Sequence, residues 1–338
     1  MNILVTGGAG FIGSHTVVEL ENAGYHAVLL DDFSNSEQSV LAGLKHILDK
    51  PVTCYQGDFG DVALLKKIFQ DECIDGIIHF AAKKAVGESV EKPLKYYKNN
   101  VGSTITLLET AIAEGVNKMV FSSSCTVYGQ PDRLPVTEET PIQQASSPYG
   151  NTKQICEEII RDTVHSGAAL NAISLRYFNP IGAHQSALIG ELPLGVPSNL
   201  VPFVTQVAAG IRPKLVVFGD DYHTSDGTCV RDFIHVVDLA KAHVKALGIL
   251  FKCSEPSYYD VFNIGTGQGN TVLEVIDTFE TMTGVKVNYE IGKRREGDIE
   301  QIFADVTKSK EQLGWQTEKS LNEALADAWR WQLELAKK

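Results

Sequence analysis

The feature that most limits how this chain can fold lies at its start, where an apolar run, Asn2-Ile3-Leu4-Val5, passes directly into Thr6-Gly7-Gly8-Ala9-Gly10-Phe11-Ile12-Gly13. An apolar strand that turns through clustered glycines into a helix is the opening of a βαβ unit. The spacing is GxxGxxG rather than the commoner GxGxxG, but the physics is the same. Gly7, Gly10 and Gly13 permit a tight turn and leave backbone N–H groups at a helix N-terminus free to receive a pyrophosphate. Glycines also close ordinary strand–helix turns, so the triplet gains its meaning from the next strand. Asp31 ends that second apolar run, 18 residues after Gly13, with no arginine within five residues of it. A carboxylate there accepts hydrogen bonds from ribose hydroxyls and repels a 2′-phosphate, so the cofactor expected is NAD rather than NADP.

The pattern continues. Further strand-like runs are Ala27–Leu30, Val52–Tyr55, Gly76–Phe80, Lys118–Phe121 and Ala172–Leu175, which with Ile3–Val5 make six. Most are continuously apolar, as parallel strands covered on both faces must be. Helical patterns fill the gaps near 12–23, 61–71, 93–114 and 148–166. Six strands with helical crossovers make an α/β fold, a doubly wound parallel sheet of the Rossmann type, over residues 1–180. After Pro180 glycine and proline become frequent. Shorter helices come next (Leu200–Ala209, Val237–Phe251, Thr271–Thr283, Leu321–Leu335), mixed with short strands. They predict a second, smaller α/β substrate-binding domain over 181–338, with the apolar segment near 232–238 returning to the first domain.

Composition excludes several classes. Hydrophobic residues are 43% and charged residues 21%, which removes the disordered class. No apolar run approaches the ~20 residues of a membrane span, and no basic segment precedes the first strand, so a cytoplasmic protein without membrane association is expected. The cysteines, at 54, 73, 125, 156, 229 and 253, lack the close pairing of disulfide frameworks or zinc sites, and the histidines form no HExxH pair. Free thiols and no metal are expected. A net charge of −12 argues against nucleic acid as a partner. Any phosphate ester must then be met by a few local arginines.

Chemistry is expected at the C-terminal ends of the strands. Gly57-Asp58 follows the third, where Asp58 is placed to meet an adenine or to cap the next helix. Phe80-Ala81-Ala82 closes the fourth with small residues that leave room for a cofactor, and Lys83 and Lys84 come next, read as either ligands or a solvated pair. Ser122-Ser123-Ser124 closes the fifth. Tyr149-Gly150-Asn151-Thr152-Lys153 sets tyrosine and lysine at i and i+4, on one helix face. A free tyrosine, with a pKa of about 10, is a poor base, but a nearby ammonium and a positive nicotinamide ring favour its phenolate. Tyr149 is thus the candidate base, with Lys153 as its electrostatic partner and Ser124 as the proton relay. Pro148 suits the first turn of their helix.

With these pieces assembled, the chain resembles the extended short-chain dehydrogenases/reductases, and within them the UDP-glucose 4-epimerase family. The likeness spans essentially the whole length. It is carried by Thr6–His15, His79–Ser89, Ser122–Gly129, Ser147–Lys153, Arg176–Ala183, Val230–Val236 and Arg294-Arg295-Glu296-Gly297-Asp298. The resemblance implies that NAD is lined by Phe11, Ile12, Asp31, Asp32, Phe33, Ser34, Asn35, Ser36, Asp58, Phe59, Phe80, Ala81, Ala82, Lys83, Lys84, Asn99, Ser124, Tyr149, Lys153 and Phe178. It implies that Lys84, Ser124 and Tyr149 face the sugar of a UDP-sugar substrate, and that Asn179, Asn199, Leu200, Phe218, Arg231, Arg295 and Asp298 hold UDP. Arg231 and Arg295 would be the local cations for the diphosphate; outside that context they read as surface ion pairs with Asp232 and Glu296. Two departures stand out. Phe11 replaces a common tyrosine, and Ile302 occupies a variable position beside the sugar's 2-substituent, where bulk decides whether N-acetylated sugars enter. A homodimer is also implied, pairing through the helices near 93–114 and 148–166, whose apolar stripes equally suit the core. A dehydratase of the same superfamily needs an added acid and base beside the serine, and here Cys125-Thr126-Val127 follows Ser124 without a carboxylate.

Overall fold

The computed structural model describes residues 1–295 and 297–337. Its first half alternates strand and helix: β1 Asn2–Thr6, α1 Phe11–Asn22, β2 His26–Asp31, α2 Ser39–Leu48, β3 Thr53–Gln56, α3 Val62–Glu72 and β4 Ile74–His79. Then come α4 Val86–Glu91, α5 Pro93–Tyr96, a π-helical turn over Tyr97–Gly102, α6 Ser103–Ala113, β5 Lys118–Ser122, α7 Pro148–His165 and β6 Asn171–Tyr177. The second half holds β7 Asn179–Ile181, α8 Leu200–Ala208, β8 Leu215–Phe218, β9 Val230–Arg231, β10 Phe233–His235, α9 Val236–Lys252, β11 Tyr258–Ile264 and β12 Asn270–Thr271. It ends with α10 Val272–Thr283, β13 Tyr289–Gly292, β14 Gln301–Ile302, α11 Thr307–Glu311 and α12 Leu321–Leu335.

The main sheet has the order β11-β6-β5-β4-β1-β2-β3, with every pairing parallel. Strand order reverses between β1 and β4, so the crossovers diverge there and leave a crevice at the strands' C-terminal ends. The pleat divides the apolar side chains cleanly. Ile3, Val5, Leu29 and Ile173 face α1, α2 and α9, while Leu4, Val28, Ile77 and Met119 face α3, α6 and α7. A third core, of Val204, Phe233, Ile276, Phe279 and Leu325 among others, gathers α8, α10 and α12. Small sheets, β10 with β7, β12-β9-β14 and β13 with β8, edge this C-terminal body.

The sheet has seven strands, not six. Its last, β11, pairs with β6 from Tyr258↔Asn171 to Ile264↔Tyr177. It is a sheet edge, and its first half is only partly buried, so Tyr258-Tyr259-Asp260 lacks the unbroken apolar signature of the inner strands. The expected helix at 93–114 is three pieces, with the wide π turn carrying Asn100 inward. Residues near 232–238 form β10 beside β7 and the start of α9, which packs on α1, β5 and β6. No described helix is long and apolar enough to cross a membrane.

Candidate active site

The glycine loop is packed so tightly that its composition follows from geometry. Gly7 has φ +70°, and a Cβ on it would lie 2.9 Å from the backbone nitrogen of Ala81. One on Gly13 would lie 2.2 Å from Gly7's carbonyl oxygen. Gly10 caps α1 with no side-chain bond, so the helix's first N–H groups, those of Phe11 and Ile12 among them, have no capping side chain. Asp31, at the end of β2, ties the loop to its neighbour. Its carboxylate accepts from Ala9 N (3.0 Å), Phe33 N (3.0 Å) and Ser36 Oγ (2.8 Å). Phe33 sits in the left-handed region at φ 56°, which turns the chain back over Asp31. Asp32 accepts from Ser34 N and is exposed, as are Ser34 and Asn35.

His79 joins the ends of β1 and β4 to α6. Its Nδ1 is 2.6 Å from Thr6 Oγ1 and its Nε2 3.1 Å from Thr104 Oγ1. Thr104 donates its only proton to Asn100's carbonyl, so Nε2 must be the donor and Nδ1 the acceptor. Burial pushes the imidazole down to about 3, which keeps it neutral. Phe59 and Phe121 pack on its ring, and Phe80 packs on His243. Phe59 is a core side chain, 6% exposed and packed with α3 and α6. Asp58 is not the cap of α3: it bonds Gly60 N, and Asp61 takes the N-cap, accepting from Ala63 and Leu64. Ala81 and Ala82 keep the crevice floor small. Lys83's main chain is clamped from both sides by Asn100, which also donates to Thr152. Asn99 is half-buried beside it. Lys84 is exposed but 3.8 Å from Glu191, so it is not a free solvated charge.

The serine segment and α7 meet at the C-terminal end of β5. Ser147 caps the helix on Gly150 N and Pro148 is its first residue. Tyr149 and Lys153 are both buried, at 9% and 4% exposure, one turn apart. Lys153 Nζ donates to Ser122's carbonyl (2.7 Å) and sits over the Phe121 ring. Burial lowers its pKa to about 8, opposed by the charges of Cys156 and Glu157. Burial also raises Tyr149 above its ordinary value, helped by Tyr177 and Cys125 and opposed by the nearby Ser124 hydroxyl. Ser124 Oγ also accepts from Thr126 N, which holds it at the mouth of a short 3-10 turn.

Among the residues expected to hold UDP, Arg231, Arg295, Phe218 and Asp298 come together. Arg295 forks onto Asp298 (2.7 and 3.2 Å) and lies over the Phe218 ring, and Arg231 is 3.9 Å from the same carboxylate. Asp232 is not their ion-pair partner. It is fully buried and accepts from Thr266 N and Oγ1, Gly267 N and Ala304 N. Glu296 lies outside the described residues. Asn199 begins α8 ahead of Leu200, yet its amide is turned away from that helix onto Glu191 Oε1 (2.6 Å). Asn179 is held through its N–H to Asp232's carbonyl. Ile302, 2% exposed, pairs opposite Arg231 and packs with Phe178, Cys125 and Val127 rather than under Phe303.

Sequence reasoning missed Asn100, Glu157, Arg176, Tyr177 and Glu191. Glu157 had a signal, since it stands four residues after Lys153 on the same helical face. The others depend on long-range pairing that no local pattern announces.

The residues present fit a dinucleotide. The cradle excludes any Cβ at Gly7 and Gly13, the α1 N-terminus has no capping side chain, and a buried carboxylate, Asp31, ends the neighbouring strand. The chain matches the family described as GDP-mannose 4,6 dehydratase over residues 4–328. It is 51% identical over 332 residues to the UDP-glucose 4-epimerase of Bacillus subtilis, covering 98% of this chain and 97% of that one. Among solved structures it is similar to the UDP-glucose 4-epimerase from Stenotrophomonas maltophila with bound NAD and formylated UDP-arabinopyranose (TM-score 0.96, 46% identity, 100% and 99% covered). It is also similar to that from Bifidobacterium longum in complex with NAD+ and UDP (TM-score 0.94, 46% identity, 99% and 98% covered).

Proposed function

Because this chain belongs to the UDP-glucose 4-epimerase family, we propose that it is the NAD-dependent enzyme that interconverts UDP-glucose and UDP-galactose by inversion at the sugar's C4. The observation that carries the reading is the buried Tyr149–Lys153 pair set against Ser124 at the mouth of a glycine cradle guarded by Asp31.

When bound, NAD supplies the acceptor for the C4 hydride and returns it, so that the sugar turns over as a 4-keto species. The chain supplies position and proton transfer. Tyr149 removes the 4-hydroxyl proton, with Ser124 as the relay between them. Lys153, anchored on Ser122, sets the positive field that the phenolate needs. Arg231 and Arg295 hold the diphosphate with forked geometry, beside Asn179, Asn199, Leu200 and Phe218. A firm grip on UDP and a loose one on the sugar let both faces of C4 meet the same hydride position. Dehydration is under-equipped, since Cys125 and Thr126 beside Ser124 carry no carboxyl group.

The enzyme acts in the cytoplasm as a homodimer. Exposed apolar side chains at Val90, Leu94 and Ile105, beside the helices expected to pair, support the dimer. It also takes N-acetylated UDP-sugars to some extent, because Ile302 is shorter than tyrosine. Incubation of the purified protein with UDP-galactose should yield UDP-glucose, and denaturation should release NAD. A 4-keto-6-deoxy product, from UDP-glucose or GDP-mannose, would overturn the assignment.

A further inference from the structure

Three consecutive serines end β5, and α7 answers each of them at one-turn intervals. Tyr149 is the rung beside Ser124, which caps the 3-10 turn packed on α7 and whose hydroxyl opposes the rise in the tyrosine's pKa. Lys153 donates to the carbonyl of Ser122. Glu157, one turn further, accepts from the hydroxyl of Ser123 through Oε1 (2.5 Å). The spacing of 149, 153 and 157 is the i, i+4, i+8 ladder of a single helical face. The first two rungs are the catalytic pair. The third takes no part in the proton and hydride transfers, yet it is built with more care than the chemistry of a surface carboxylate requires.

Glu157 is 4% exposed and holds Arg176 in a forked ion pair: Nε reaches both carboxylate oxygens at 3.0 and 3.2 Å, and Nη2 lies 2.6 Å from Oε2. Arg176 comes from β6, the strand beside β5. It is itself fixed by Tyr128, whose hydroxyl accepts from Nη1 and donates to Asn263 on β11. A rigid chain therefore runs from β11 through β6 to α7 and ends on Ser123. Ser123 is fully buried and adjoins Ser124. β6 already holds the backbone of Ser122 and Ser123 through Leu175, and Lys153 and Glu157 fix how that backbone sits against α7.

We propose that Glu157, braced by Arg176, is a positioning residue for the epimerisation: it locks the serine segment in register with α7 so that Ser124 and Tyr149 share the reacting hydroxyl. This rests on Tyr149 and Ser124 being the reacting groups. Glu157 also supports the Lys153 ammonium electrostatically, so its loss carries a pH signature.

The test uses holoenzyme and three variants. Ser123→Ala removes one hydroxyl and no charge. It should lower kcat by about tenfold, within the range for a displacement of about 1 Å, while KM for UDP-galactose, bound NAD and melting temperature stay parental. Glu157→Gln combined with Arg176→Met removes both buried charges without orphaning either. It should lower kcat and move the alkaline limb of the kcat–pH profile to lower pH, since the Lys153 proton is held less firmly. A kcat for Ser123→Ala within about twofold of the parent overturns the proposal, as does a loss that only tracks lost NAD or folded protein. An unmoved alkaline limb in a folded double variant does the same. Tyr149→Phe separates the layers. If it is inactive while Ser123→Ala is normal, only the positioning role falls; if it is active, the assigned base falls and the positioning role with it.

Discussion

Replacing glycine by alanine at two helical positions, 13 and 248, makes one chemical change with two opposite expected outcomes. Neither position has a positive φ, so helix propensity alone favours alanine at both by about 0.5–1 kcal/mol. At Gly248 in α9 the nearest atom to a new Cβ is the Tyr25 hydroxyl at 3.9 Å, an ordinary contact, and Gly248→Ala should stabilise by about that amount. At Gly13 the new Cβ falls 2.2 Å from Gly7's carbonyl oxygen and 2.9 Å from Gly8 Cα, where real contacts stop near 3.0 Å. The neighbour is backbone, held by Gly10's N–H at 3.0 Å, so the loop must recede by nearly an ångström. Overpacking of this kind costs about 1–3 kcal/mol, which exceeds the propensity gain. The displaced amides are those expected to face the pyrophosphate, so NAD affinity should fall by about tenfold or more, each 1.4 kcal/mol being one factor of ten. The assay is NAD released on denaturation per mole of purified protein, with thermal melting with and without added NAD. If Gly13→Ala keeps parental NAD and melts like Gly248→Ala, the cradle is not where the pyrophosphate lies.

Other outcomes turn on single groups. Tyr149→Phe should fold and carry NAD normally while turnover drops about 10²–10⁴-fold; near-normal turnover refutes the assigned base. Asp31→Ala removes an acceptor of three hydrogen bonds and the repelling charge, so NAD content should fall and the preference against NADP shrink; unchanged preference removes Asp31 from the ribose. The Lys153 ammonium, with a pKa lowered to about 8, is lost as pH rises through that value, so kcat should decline on the alkaline side. A kcat that stays flat above pH 8 separates Lys153 from the rate. Ile302→Tyr should abolish turnover of UDP-GalNAc while sparing UDP-galactose, since tyrosine adds bulk to a site 2% exposed; no fall places the gate elsewhere.

The crevice was legible because local rules and tertiary structure agree there. Glycines at 7, 10 and 13, an aspartate ending β2 and a tyrosine four residues before a lysine are short-range patterns, each with one dominant physical use. The illegible parts depended on partners far along the chain. Asn100 looks like its neighbour Asn99 until the π turn decides which of them points inward. Arg176 opens the Arg176–Ala183 motif with nothing local to name its partner, which is Glu157 on α7. β11 hides because an edge strand needs only one apolar half. Asp58 resembled a helix cap because the true cap, Asp61, lies only three residues on.

The position of β11 bears on how the molecule is made. The strand that completes the nucleotide-binding sheet is synthesised about eighty residues after the strand it pairs with, behind α8 and α9 and ahead of α10 and α12. During translation β6 therefore waits with a bare row of amides and carbonyls, and the sheet face that α9 covers waits with it. An excised 1–180 fragment keeps that unfinished rim permanently and invites edge-to-edge association. The two halves are in this sense a single folding unit: the last third of the polypeptide finishes the first.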